Sequence, residues 1–212
     1  MNILFDLDGT LTDPYQGITK CISHTLLKLG REAPPQKDLR WCIGPPLKAS
    51  FAKLLSTDDE NLAEKALVLY RERFSTVGLF ENEVYDQIPE VLKSLQENGH
   101  RLYVATAKPT VYAKQIIKHF GLQQYFISVY GSELDGAKTD KADLISHILQ
   151  SEAIDSSETL MVGDRKYDMT GAKANGIRSV GVLWGYGTKE ELETSNAQIC
   201  ISHPKELHNI LD

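Results

Sequence analysis

The sequence predicts an α/β fold: a Rossmann-like parallel sheet core, interrupted early by an inserted all-helical unit. Three observations predict it. The chain opens on Asn2-Ile3-Leu4-Phe5, a short apolar segment of the length and composition of a buried parallel strand. Residues 14–83 then read as helix, with no convincing strand. From residue 85 on, strand-length apolar runs alternate with helical patterns, the signature of an open parallel sheet with helices on both faces. The expected boundaries are therefore 1–13 and 84–212 for the sheet core and 14–83 for the helical cap.

Taken in order, the first strand ends in Asp6-Leu7-Asp8-Gly9-Thr10, two carboxylates followed by a Gly-Thr turn. Residues 17–30 place Ile18, Cys21, Ile22, Thr25, Leu26 and Leu29 at helical spacing, with Gly30 as the stop. Ala33-Pro34-Pro35 breaks the chain, and Ile43-Gly44-Pro45-Pro46-Leu47 is a rigid turn into a helix over 47–55. A long helix is expected over 58–77, with Leu62, Ala66, Leu69, Tyr70 and Phe74 on one face. Beyond it, helices at 90–98, 111–120 and 141–150 separate strands at 101–106, 127–130 and 159–162. A helix carrying Ala172, Ala174 and Gly176 follows, and strands at 179–183 and 198–201 alternate with helices at 189–194 and 204–211.

The bulk numbers narrow the function. Of 212 residues, 42% are hydrophobic and 25% charged, ordinary values for a soluble globular protein. A net charge of −6 argues against a nucleic-acid polymer as partner, although an anionic small molecule stays open because a site's local field can differ from the net charge. Cys21, Cys42 and Cys200 are odd in number and widely spaced, which reads as reduced packing residues in a cytoplasmic protein. No apolar run has the length of a membrane span. Monomer and homodimer both remain open.

In open parallel sheets, ligands bind at the carboxyl ends of the strands. Those positions hold Asp6 and Asp8; Thr106 and Ala107; Lys141, at a helix start; and Gly163-Asp164-Arg165-Lys166-Tyr167-Asp168. Singly, each has a plain structural explanation: a hydroxyl or carboxylate that caps a helix, or a lysine in solvent. Together they supply carboxylates for a hard cation, a hydroxyl donor and an ammonium, the equipment for stabilising a phosphoryl group in transfer.

In this order, around a helical insertion, the motifs resemble the haloacid dehalogenase superfamily of phosphohydrolases, in its phosphoglycolate-phosphatase-like branch with a helical cap. The resemblance covers the whole chain. It implies that Asp6 is the nucleophile that forms an aspartyl-phosphate, and that Asp8 is the general acid and base. Mg²⁺ would be held by the Asp6 carboxylate, the Asp8 backbone carbonyl and Asp164, with Asp168 orienting a bound water or Lys141. Asp6, Asp8, Thr106, Ala107, Lys141 and the backbone around Leu7 and Gly9 would cradle the phosphate. In the cap, Arg40, Gly44 and Lys48 are the candidates for substrate specificity. The implied activity is hydrolysis of a small phosphorylated metabolite, phosphoglycolate-like first and a nucleoside 5′-monophosphate second. A phosphomutase, a pyrophosphatase and a non-catalytic phosphate-binding module are the alternatives. The chain departs from relatives at two places. Ala107 stands where Asn is frequent, and Tyr85-Asp86-Gln87 lacks the glycine of the usual Tyr-Pro-Gly turn.

Overall fold

The computed structural model describes residues 1–211 of the chain. It divides into two compact units, Met1–Asp13 with Val84–Asp212, and Pro14–Glu83. The chain begins with β1 (Asn2–Phe5) and β2 (Thr12–Asp13).

The smaller unit holds α1 (Tyr15–Lys28), a 3₁₀ segment (Gln36–Cys42), α2 (Leu47–Leu54) and α3 (Glu60–Arg73). Its interior is built by the faces the sequence marks out: Ile18, Cys21, Ile22 and Leu26 of α1 are buried, as are Phe51, Ala66, Tyr70 and Phe74. The helical stretch expected over 58–77 is present but changes type along its length. It starts at an Asp59 cap, whose side chain accepts from the Asn61 N–H, and α3 gives way at Phe74–Gly78 to a π-helical turn. There the Leu79 N–H reaches back five residues, to the Phe74 carbonyl at 2.8 Å. The Thr76 hydroxyl bonds the Glu72 and Arg73 carbonyls, and such back-bonding competes with regular helix hydrogen bonds. Arg73 pairs with Glu81 through Nη1 (2.7 Å) and Nη2 (3.2 Å) and also reaches Cys21 Sγ.

After β3 (Glu83–Val84), the larger unit continues as α4 (Ile88–Glu97), β4 (Arg101–Pro109), α5 (Thr110–His119), β5 (Ser128–Ser132) and α6 (Lys141–Ser151). Then come β6 (Thr159–Gly163), α7 (Lys166–Ala174), β7 (Arg178–Val182), α8 (Lys189–Thr194), β8 (Ile199–Ile201) and α9 (His208–Leu211). Six strands form one parallel sheet in the order β5-β4-β1-β6-β7-β8, and β2 with β3 forms a separate pair. The chain leaves the larger unit and re-enters it side by side, with the Tyr85 N–H donating to the Leu11 carbonyl at 3.2 Å. At this return Gln87 takes a φ of +68°. A non-glycine residue pays on the order of 1 kcal/mol there, and α4 starts in spite of it.

The register of β1 positions the site. Phe5 lies opposite Val104 on one side and Val162 on the other, so Asp6, Thr106 and Asp164 leave neighbouring strands at one rim. Behind them Leu4, Tyr103, Ala105 and Met161 pack against Leu144, Ile145 and Ile148 of α6 and Ala172 of α7. Each large apolar side chain buried here contributes roughly 1.5–3 kcal/mol, which holds the rim rigid. No disulfide joins the three cysteines, and among the described residues no helix is long and apolar enough to cross a membrane.

Candidate active site

Asp6 follows directly from β1, and its N–H donates to the Val162 carbonyl at 2.9 Å, which aligns the strand end with β6. The next residues fold into a tight loop: the Leu11 and Thr12 N–H groups both reach the Leu7 carbonyl, at 2.9 and 3.0 Å. Within it the Gly9 N–H, expected at a phosphate, donates instead to the Thr12 carbonyl at 2.8 Å. Gly9 serves the site through its missing side chain. At its φ of +88°, a Cβ would collide with the Asp164 carboxylate.

Lys141 sits at the first position of α6, behind an Asp140 cap that accepts from the Ala142 and Asp143 N–H groups. Far from being a solvated lysine, it is 5% exposed. Its Nζ lies 3.0 Å from Asp6 Oδ1 and 2.7 Å from Asp168 Oδ1, and donates to the Ala105 carbonyl at 2.8 Å. Asp168 is fixed by the start of α7, where its Oδ2 accepts from the Arg165 N–H at 3.1 Å. Asp164 is wholly buried; its Oδ2 accepts from the Tyr186 N–H at 2.7 Å, while Oδ1 has no hydrogen-bond partner. Asp6, Asp164 and Asp168 each offer one carboxylate oxygen, all within 4.8 Å of one another.

Around this cluster stand Asp8, Thr106 and Ala107. Asp8 Oδ2 is paired with Lys108 Nζ at 2.7 Å, and Oδ1 has no hydrogen-bond partner. Thr106 is buried, and its Oγ1 accepts from the Lys108 N–H at 3.2 Å. The Ala107 carbonyl accepts from the buried Ser132 hydroxyl at 2.8 Å.

Concentrated charge shifts the titrations. Burial raises Asp8 above the usual carboxylate range, with Lys108 opposing and Asp6 adding. Burial, then Asp6 and Asp168, raise Asp164 well above that range. Burial moves Asp168 up to about 6 against the pull of Lys141, with Asp6 adding to the rise. Burial alone would lower Lys141, but Asp168 and Asp6 outweigh it and keep the ammonium charged. Carboxylates crowded this closely repel one another unless a cation lies among them, and one lysine is present for three.

Of the specificity candidates, all in the smaller unit, Arg40 lies 5.6 Å from the centre of the Tyr15 ring and Gly44 takes a φ of +102°. Lys48 faces Glu60 and Glu64 at 3.5 and 3.6 Å.

Comparison with known proteins decides the family. The family model for haloacid dehalogenase-like hydrolases matches residues 3–182. The chain belongs to the haloacid dehalogenase-like hydrolases. It is 48% identical to a 5′-nucleotidase of Pseudomonas aeruginosa, over 90% of this chain and 86% of that protein. A phosphoglycolate phosphatase of Colwellia psychrerythraea is 28% identical, over 97% and 94%. The tyrosine-protein kinase PtkA of Mycobacterium tuberculosis is 35% identical, over 93% of this chain and 67% of that protein. Among solved structures, a predicted phosphatase from Clostridium acetobutylicum superposes with a TM-score of 0.94 at 43% identity, over 99% and 97%. This haloacid dehalogenase-like hydrolase is an enzyme of the phosphatase kind.

Two groups at the rim escape a reading of the sequence. Lys108 is two residues past Thr106, and only its contact with Asp8 marks it. Trp184-Gly185-Tyr186-Gly187 follows β7 at the same edge. The strand-end rule reaches that segment, but it carries no acid or base at neutral pH to draw the eye.

Proposed function

We propose that this phosphatase hydrolyses small phosphomonoesters with Mg²⁺ through an aspartyl-phosphate on Asp6, with nucleoside 5′-monophosphates as the leading substrate class. One observation carries the reading: three buried carboxylates converge with a single lysine among them, and Asp164 Oδ1 is left without a hydrogen-bond partner. Such an all-oxygen, anionic donor set fits a hard divalent cation. Asp6 and Asp164 would hold Mg²⁺ by their carboxylates and Asp8 by its backbone carbonyl, with Asp168 beside them. When bound, the ion neutralises charge on the phosphoryl oxygens and on the carboxylates that surround them.

The residues divide the work between two steps. Asp6 attacks phosphorus, while Asp8 protonates the departing oxygen; Asp8 then takes a proton from the water that hydrolyses the phosphoenzyme. The raised affinity of Asp8 for its proton suits the first of these duties. Lys141 holds Asp6 in place and offsets its charge, and Thr106 with the Ala107 N–H binds phosphate oxygens. Arg40, Gly44 and Lys48 of the helical unit would choose among substrates.

The choice of nucleotides rests on the greater identity to the 5′-nucleotidase than to the phosphoglycolate phosphatase. Phosphate release from a panel tests it: nucleoside monophosphates, phosphoglycolate, hexose phosphates, pyrophosphate and an aryl phosphate, each with Mg²⁺ and with chelator. We expect Mg²⁺-dependent release, fastest from a nucleoside monophosphate. Preference for phosphoglycolate or pyrophosphate would overturn the substrate class, and isomerisation of a hexose phosphate would make the enzyme a mutase. ATP with a phosphotyrosine readout separates this activity from that of the kinase-named relative.

A further inference from the structure

The segment 184–187 has no part in the chemistry just described, yet within the larger unit one hydrogen bond ties it to the acid cluster and two more tie it to the loop after β1. The Tyr186 N–H donates to Asp164 Oδ2 at 2.7 Å, and the Trp184 indole N–H donates to the Thr10 carbonyl at 3.0 Å. The Tyr186 hydroxyl donates to Asp13 Oδ1. Gly185 lies against Asp164 so closely that a Cβ there would collide with the Asp164 side chain and with the Gly9 carbonyl oxygen. Asp164 is therefore clasped between two glycine backbones, Gly9 and Gly185. Its Oδ2 is engaged by an amide, and its Oδ1 is buried with no hydrogen-bond partner.

We propose that the 184–187 loop is the positioning element for Asp164, and that Tyr186 is its key residue. Tyr186 fixes the carboxylate through its backbone N–H and fixes itself through its hydroxyl on Asp13. Asp164 then meets a divalent cation with one oxygen already aimed and little freedom left to lose. Groups that orient metal ligands in this way are typically worth about 10–100-fold in affinity. The inference rests on the Mg²⁺ reading above and deepens it.

The test is calorimetric titration of the metal-free full chain with MgCl₂, in wild type, Tyr186→Phe and Gly185→Ala. The thermal midpoint of each metal-free protein serves as reference. Tyr186→Phe keeps the ring and the N–H and loses only the anchor on Asp13; we expect its Mg²⁺ dissociation constant to rise about tenfold. Gly185→Ala should raise it further. A purely structural role would shift the metal-free midpoint and leave the Mg²⁺ constant alone. Should Gly185→Ala fail to fold, Tyr186→Phe decides. Wild type and Tyr186→Phe binding Mg²⁺ equally would overturn this inference alone, whereas a wild type that takes up no Mg²⁺ would overturn the Mg²⁺ reading and this inference with it.

Discussion

Lys141 and Lys48 make the same contact in different surroundings, each an ammonium facing two carboxylates. Lys141 faces Asp6 and Asp168 at 3.0 and 2.7 Å, with a side chain 4% exposed. Lys48 faces Glu60 and Glu64 at 3.5 and 3.6 Å, 44% exposed. Around Lys48, water screens every charge and competes for every donor, so such pairs contribute about 0–1 kcal/mol. Around Lys141 the protein must replace that water, and removing one partner strands the others. A cluster held in this way has a cost that packing alone does not explain, and that cost is what supports placing the proposed chemistry at the sheet rim. The helical unit treats charge as ordinary surface, apart from the part-buried Glu81 with its partners Arg73 and Lys20.

The sharpest way to break this comparison is at Asp6, the proposed nucleophile. Asp6→Asn keeps the side-chain volume and should lower turnover on the order of 10⁴-fold or more, as loss of a nucleophile does elsewhere, while the circular dichroism spectrum stays that of wild type. Near-normal turnover would end the covalent scheme. Next comes Lys141→Met, which leaves Asp6 and Asp168 without their shared cation. It should cost about 3–5 kcal/mol of unfolding free energy at neutral pH, read by urea titration, together with most of the activity. A loss below 1 kcal/mol would mean that burial does not distinguish the two lysines.

The third test uses pH. Asp168 moves from 3.8 up to about 6, and Asp8 and Asp164 move the same way. A folded-state pKa above the unfolded one gives stability that is present below pH 3.8 and lost as pH rises through about 6. The metal-free cluster is thus less favourable at neutral pH, where Asp168 is ionised, than in acid, and a divalent cation gains most there. The rise in thermal midpoint on adding Mg²⁺ should be clearly larger at pH 7.5 than at pH 5; equal rises would contradict the assignment. The smallest effect belongs to Lys48→Ala, expected within about 0.5 kcal/mol of wild type. A large increase in KM in that variant would show that Lys48 reads the substrate in spite of its solvated pairing.

Asp6 and Asp8 were legible because two carboxylates at the end of an apolar strand are unusual, and Asp164 because Gly163-Asp164 ends another. The parallel sheet was legible for a related reason, since strands buried on both faces are written as unbroken apolar runs. Lys141 could be placed at a helix start, but its burial could not be read, because burial depends on which helices close over that position. The same limit hid Lys108, whose partner lies far away in sequence. Trp184, Gly185 and Tyr186 went unread because backbone amides and missing side chains leave no pattern in composition. Gln87 is the opposite case: the sequence marked only a missing glycine, and the chain adopts the left-handed conformation regardless.

The central place of β1 also bears on when this enzyme can become active during its synthesis. Asp6 is made well before its sheet neighbours, since β1 is flanked by β4 and β6, with Asn2 opposite Arg101 and Thr159. Pairings so distant along the chain form slowly, because the intervening loop must close before any contact repays it. The continuous helical segment, whose contacts are local, can collapse first on the ribosome while β1 waits for partners not yet translated. Asp164 and Asp168 arrive later still. The emerging chain therefore carries Asp6, the proposed nucleophile, as an ordinary aspartate, without its buried lysine and carboxylate neighbours until the sheet has closed around it.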